Sequence, residues 1–177
     1  MISYSSFGSP VGQVFVAAGP RGVCSIAIGA ERPHPEILHK LHPQHKPVRD
    51  DTALAPTVDT LLRYLNGEDV CLEAIAVDVS AGTPFQQTVW SELRRVPRGS
   101  VLSYNELAAR VGRPLAARAV GNAMARNPVP LLVPCHRVIR ADGSLGGFGC
   151  GVDVKKYLLR LEGIIPGETH AEVHHGR

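Results

Sequence analysis

No run of apolar residues in this chain approaches the roughly 20 that a membrane-spanning helix requires. The opening Met1-Ile2-Ser3-Tyr4 has neither the basic start nor the apolar stretch of a secretion signal, so the expected address is cytoplasmic, with no membrane partner. Cysteine is scarce. The four thiols (Cys24, Cys71, Cys135, Cys150) show no C-x-x-C pairing, which argues against a disulfide framework and for reduced cysteines. Charge is also thin: at 20% charged and 44% hydrophobic, the chain has too few charges for a disordered tail and enough apolar side chains to fold. Its 177 residues fit one ordinary domain or two small ones and exclude a large multidomain assembly.

The net charge of +3 conceals an asymmetry. Residues 1–83 carry six Lys and Arg against nine Asp and Glu, whereas residues 84–163 carry twelve against five. The second part is basic and rich in arginine. A polyanion partner is one reading of that bias and a structural arginine surface is the other.

The first part reads as short strands. Residues 2–6, 13–18 and 22–28 are β-rich runs separated by Gly8-Ser9-Pro10 and Gly19-Pro20-Arg21-Gly22, the punctuation of a small antiparallel sheet. Residues 33–50 read as an irregular or weakly helical connection carrying His34, His39, His42 and His45. Zinc, with Cys24 as an extra ligand, is the sharp reading of that cluster, but its irregular spacing favours a solvated loop and no metal. Leu54, Val58, Leu61, Leu62 and Leu65 lie at helical spacing before an Asn66-Gly67 stop, and residues 71–79 read as a last strand.

From Gly82 the texture turns helical. Thr83-Pro84-Phe85-Gln86 combines an N-cap, proline at the first helical position and glutamine three residues after the cap, which opens a helix to about residue 95. Ser103-Tyr104-Asn105-Glu106 is a second capping box, for a short helix that Gly112 ends, and Pro114 is expected to open a third helix running to about residue 126. The pair has the layout of a helix-turn-helix. On the third helix Ala116, Ala119, Val120, Ala123 and Met124 form the expected buried stripe, while Arg118, Gly121, Asn122 and Ala125 form a small, nearly uncharged opposite face. An alanine-rich packing helix and a DNA-binding helix both fit that pattern, and the basic surroundings favour DNA.

The apolar run Val129-Pro130-Leu131-Leu132-Val133-Pro134 delivers Cys135, with His136 and Arg137 immediately after it. A thiol reacts as its thiolate, and a nearby imidazole can take its proton while cationic groups stabilise the sulfur anion. Glu162, following the helical run 155–161, is the nearest candidate carboxylate to orient His136. An inert buried cysteine beside a surface histidine is the plain alternative. Zinc fits less well, because adjacent ligands rarely both reach one ion.

Pro134-Cys135-His136-Arg137-Val138-Ile139, with Arg118-Ala119-Val120-Gly121 and Asn127-Pro128 before it and Leu158-Leu159-Arg160-Leu161-Glu162-Gly163 after it, resembles the O6-alkylguanine-DNA alkyltransferase family. The resemblance runs without a gap from about residue 83 to residue 163; the first half is similar only in size, strand order and the Ser9-Pro10-Val11-Gly12 turn. It implies an α+β protein: an N-terminal α/β domain with a ribonuclease-H-like sheet over 1–82, then a mainly helical catalytic domain with a winged-helix-like helix-turn-helix over 83–163. A flexible tail would follow over 164–177.

That resemblance further implies a repair protein without cofactor, acting as a monomer on double-stranded DNA containing O6-alkylguanine, with O4 of thymine as an open second target. Cys135 would take the alkyl group irreversibly, once per molecule. His136 would accept the thiol proton, Glu162 would hold the imidazole, Asn127 would tie the turn and Tyr104 would donate to the guanine ring. The damaged nucleotide would be swung out of the helix, with Arg118 filling the gap and Ala116, Ala117, Gly121 and Asn122 completing the DNA face. Val138, Phe148 and Gly149 would form the pocket. In the loop after the cysteine, where the family usually has tyrosine, this chain has Phe148, which can stack but offers no hydroxyl, and Cys150 stands where the family commonly has glycine or another residue. Two other readings are a non-catalytic protein that binds the lesion and a transcriptional regulator; the retained Cys135, His136 and Glu162 argue against the first, and the lack of a cysteine-rich segment against the second.

Overall fold

A computed structural model describes residues 1–29, 43–44 and 46–165. The expected histidine cluster (His34, His39, His42, His45) and residues 166–177 of the expected tail lie outside the described residues.

The chain forms two compact units, residues 1–81 with 128–132, and residues 82–127 with 133–177. The division near residue 82 follows the change in texture along the sequence. The return of five residues to the first unit has no such signature.

In the first unit β1 (Ile2–Ser9), β2 (Gly12–Gly19) and β3 (Gly22–Ile28) pair antiparallel, and β4 (Pro47–Arg49) joins β1 in parallel, giving the order β3-β2-β1-β4. Val14, Phe15, Val16 and Ala17 are all buried, so both faces of the central strand are covered. Phe15 and Ala17 meet Ile2 and Cys24 on one face. Helix α1 (Asp51–Leu65) packs on β1 with Leu54, Leu61, Tyr64 and Leu65 buried. Asp50 caps it by accepting from the Ala53 amide.

Residues 71–79 are not a strand. Leu72 and Ile75, three apart, suit the 3₁₀ turn that forms at Leu72–Ala74. The chain then touches β3 only briefly, with Val23 N–H donating to Ala76 O and Asp78 N–H donating to Val23 O. Gly22 permits this approach, since a Cβ there would lie 2.4 Å from the Ala76 oxygen. The segment 128–132 is anchored by the Ile26 amide donating to Pro128 O at 2.8 Å.

In the second unit α2 (Pro84–Leu93) starts at a Thr83–Gln86 capping box and buries Val89, Trp90 and Leu93. Strand β5 (Leu102–Ser103) leads into α3 (Tyr104–Arg110), whose Ser103–Glu106 box also forms. Gly112, at φ +72°, ends it. Helix α4 (Ala117–Ala125) begins three residues later than Pro114 suggests. Pro114 and Leu115 stay in the turn, and Ala116 at the cap has no side-chain acceptor to offer. Val120, Ala123 and Met124 are buried as the spacing predicts, but Ala119 is exposed and Ala116 half-buried: the late start narrows the stripe. Trp90 fixes the helix by donating from Nε1 to Ala123 O at 2.9 Å.

A 3₁₀ turn at Cys135–Arg137 runs into β6 (Val138–Ile139), which pairs in parallel with β5. Helix α5 (Val152–Leu161) closes the unit. Ile164 is buried against Ile139 and Leu159, so the folded part extends past 163 and residue 164 is not tail.

Candidate active site

The turn that carries Cys135 is built from its own backbone and one amide side chain. Arg137 N–H donates to Pro134 O, and Asn127 Nδ2 donates both to Val133 O at 2.8 Å and to the Cys135 sulfur at 3.1 Å. Cys135 keeps 8% of its surface, whereas His136 has none. The exposed edge of the cysteine opens on a cavity of about 280 Å³ lined by Tyr104, Gly121, Met124, Ala125, Cys135, Gly147, Phe148 and Gly149. Much of that lining is glycine, alanine or methionine. A flat ring can therefore enter between Tyr104 and Phe148 without displacing branched side chains.

Behind the cysteine, His136 Nε2 lies 2.9 Å from Glu162 Oε1. Arg137 donates to both oxygens of the same carboxylate, from Nη2 to Oε1 at 2.7 Å and from Nε to Oε2 at 2.9 Å, and from Nη1 to Val96 O. All three side chains are buried. Burial alone would raise the Glu162 carboxyl, but hydrogen bonds from His136 and Arg137 outweigh it and hold the group below the usual carboxylate range. Glu162 is thus an anion that only accepts, which requires His136 Nε2 to carry its proton and makes Nδ1 the basic nitrogen. Burial also holds the imidazole below its ordinary value, against the pull of Glu162, so the ring is neutral near pH 7.

Burial pushes the Cys135 thiol above its ordinary value, while the Asn127 hydrogen bond and the positive charge of Lys155 pull the other way. The resting group is a thiol and not a standing thiolate. A base is needed at the moment of reaction, and a neutral imidazole with Nδ1 basic is suited to that task. Burial likewise raises Tyr104, which keeps its hydroxyl proton as a donor in the cavity wall.

The expected residues fall into three groups. Cys135 is bonded to Asn127, and the adjacent His136 is bonded to Glu162; Tyr104, Gly121, Phe148 and Gly149 line the cavity beside Cys135. Arg118 and Asn122 are exposed on α4, with Ala116 and Ala117 half-buried at its start. Val138 differs from the expectation: its side chain is fully buried in β6, as is that of Ile139, and it is not among the residues that line the cavity. Two charged residues that the sequence reading gave no role, Arg137 and Lys155, are buried in the same region. Lys155 shares the buried side of its helix with Leu158 and Leu159, three and four residues on, and that spacing is the signal in the sequence. Among the described residues no group of three or more histidine, cysteine or acidic side chains could hold a metal ion, and no helix is long and apolar enough to cross a membrane.

These features define a protein with a cysteine at the edge of a cavity in a helix-turn-helix unit, followed in sequence by a histidine that is paired with a buried carboxylate. Residues 84–164 match the family described as 6-O-methylguanine DNA methyltransferase, DNA binding domain, and residues 2–79 match its ribonuclease-like domain. The chain is 38% identical over 162 residues to a methylated-DNA--protein-cysteine methyltransferase of Haemophilus influenzae, covering 91% of this chain and 86% of the relative. It is 38% identical over 163 residues to that of Mycobacterium bovis, covering 92% and 93%. Among solved structures, Mycobacterium tuberculosis OGT in complex with DNA superposes with a TM-score of 0.79 at 36% identity, covering 93% of this chain and 96% of that one. The chain belongs to the methylated-DNA--protein-cysteine methyltransferase family.

Proposed function

We propose that this protein reverses alkylation at O6 of guanine in double-stranded DNA by moving the alkyl group to Cys135, acting as a monomer and without cofactor. The observation that carries the reading is the sulfur at the edge of the cavity, tied by Asn127 and backed by a His136–Glu162–Arg137 cluster that leaves Nδ1 as the base.

The chemistry follows from that order of groups. The Cys135 proton passes to His136, directly or through a water, and Glu162 stabilises the imidazolium that forms. The thiolate attacks the alkyl carbon, the bond from that carbon to O6 breaks, and its electron pair stays with guanine. Tyr104 donates to the ring as the negative charge grows there, which makes guanine the better leaving group. A thioether is not hydrolysed under ordinary conditions, so each molecule reacts once.

A carbon stacked inside duplex DNA cannot reach a sulfur with 8% of its surface exposed, so the nucleotide must leave the stack. Arg118, exposed on α4, is the group proposed to fill the gap, and the small face of α4 suits close approach to a groove. Arg113 and Arg126 are exposed along this part of the unit and supply phosphate contacts. A lesion-binding protein without chemistry would have no use for a proton acceptor fixed behind a thiol.

Duplex DNA with a labelled methyl group on guanine O6 tests the proposal. The label is expected on the protein, at no more than one per molecule; label that remains on DNA contradicts it.

A further inference from the structure

Leu115 is the most exposed large apolar side chain among the described residues. It keeps 100% of its surface, and the next, at 78%, is Met1. It stands at the tip of the turn between α3 and α4, which the Ala116 amide closes by donating to Arg113 O at 2.8 Å. An apolar residue just ahead of a helix cap commonly packs on the fourth residue of the helix, here Val120. That contact is not made: Val120 is fully buried and Leu115 wholly in water. Folding gains nothing from a leucine so placed, because it removes no apolar surface from solvent.

The surroundings select a partner. Leu115, Arg118, Ala119, Asn122 and Arg126 recur at i, i+3, i+4, i+7 and i+11 and are all exposed, so the leucine leads the outer face of α4. From Leu107 to Ala141 the chain has six arginines and no acidic residue. Arg113 and Arg118, both exposed, stand on either side of Leu115 in the sequence. A second copy of this chain would bring arginines against arginines. A duplex groove offers the complement, with sugars and base edges for an apolar side chain between two rows of phosphate for the cations.

We propose that Leu115 is an apolar wedge that enters the groove of duplex DNA beside Arg118, packs on sugar and base edges and loosens the stack next to the nucleotide that leaves it. Three residues of helix rise about 4.5 Å, against about 3.4 Å for a base-pair step, so the two side chains meet neighbouring steps. The contact is a binding one, and no covalent bond forms or breaks. The inference rests on duplex DNA being the partner, but not on transfer to Cys135.

Fluorescence anisotropy of the full-length protein with an unmodified duplex, and with one of its strands alone, tests this over a range of salt concentrations. Leu115→Ala is expected to bind the duplex about tenfold more weakly, within the worth of burying a leucine side chain, and the single strand within about twofold of native. The slope of log affinity against log salt is expected to stay native in that variant, because an apolar contact releases no counterion. Arg113→Ala, by contrast, is expected to reduce the slope by about one. Leu115→Met, of similar volume, is expected to bind the duplex like the native protein. Thermal unfolding of the two Leu115 variants at the native temperature separates a lost DNA contact from a lost fold. An alanine variant with native duplex affinity, an altered salt slope or an equal loss on both forms of DNA would overturn the inference alone, as would a methionine variant as weak as alanine. Native protein that does not bind the duplex would overturn the reading of DNA as partner and this inference with it.

Discussion

Asn127 reaches Cys135 across the turn that presents it, its Nδ2 donating to the sulfur at 3.1 Å while also holding Val133 O at 2.8 Å. One side chain thus fixes both the backbone that delivers the acceptor and the acceptor itself. Asn127→Ala removes both bonds. It is expected to cost about 1–3 kcal/mol of stability and to slow transfer. Urea unfolding and single-turnover rates check this, and native values for both would show that the contact is incidental.

Glu162 is the hub of the buried charges. Glu162→Gln leaves the Arg137 guanidinium without its anion and removes the group that fixes the His136 tautomer. A loss of about 3–5 kcal/mol is expected, together with a fall in transfer rate. Adding Arg137→Met to the glutamine variant is expected to recover part of the stability but not the rate, since the tautomer stays unspecified. Recovery of both would mean that Glu162 serves only to balance Arg137.

His136 makes stability depend on pH. Its folded value lies below the unfolded one, so the unfolded chain binds more protons as pH falls beneath about 6.5. Stability contributed by the neutral ring is therefore present at pH 7 and declines as the solution is acidified below that point. Glu162, also depressed, adds a loss at lower pH, below the ordinary carboxylate range. Thermal unfolding between about pH 7 and about pH 5 should show a decline that His136→Gln reduces. An unchanged slope in that variant would assign the effect to other groups.

Gly82 supports α4 at a distance from the chemistry. A Cβ there would lie 2.2 Å from the Trp90 ring, whose Nε1 holds the end of α4 through Ala123. Gly82→Ala is expected to destabilise by about 1–3 kcal/mol through overpacking. Gly147→Ala meets nothing within 4 Å and serves as the control, expected to unfold like the native protein. Equal stability of the two would show that Trp90 moves aside freely.

Arg118→Ala should slow repair in duplex DNA by about tenfold or more, the weight of a few kcal/mol of unstacking, and leave reaction with free O6-benzylguanine near native. Equal losses on both substrates would argue against a role in filling the helix.

Local signals carried most of the fold. Both capping boxes, the first three strands and the helix at 51–65 follow from cap residues, glycine turns and periodicity, which act over a few residues. The failures were of longer range. Strands β4, β5 and β6 are two or three residues long and exist only because a partner strand is present. The start of α4 slipped because proline at the first helical position is a preference that an uncapped turn can override. At the site, Cys135, His136 and Glu162 could be named from the Cys-His-Arg sequence and the end of a helix, but the shared carboxylate could not. Arg137 reaching Glu162 and Lys155 reaching three carbonyls are properties of folded geometry. The sign of the thiol's shift was hidden for the same reason, since burial raises it and only the structure shows that burial.

Peptide-resolved mass spectrometry after mixing with duplex DNA carrying O6-methylguanine tests the central claim most directly. The account predicts a gain of about 14 Da, one CH2, on the peptide containing Cys135, in step with the guanine restored and absent in Cys135→Ala. Repaired DNA with an unmodified Cys135, or the added mass on Cys150, would contradict it.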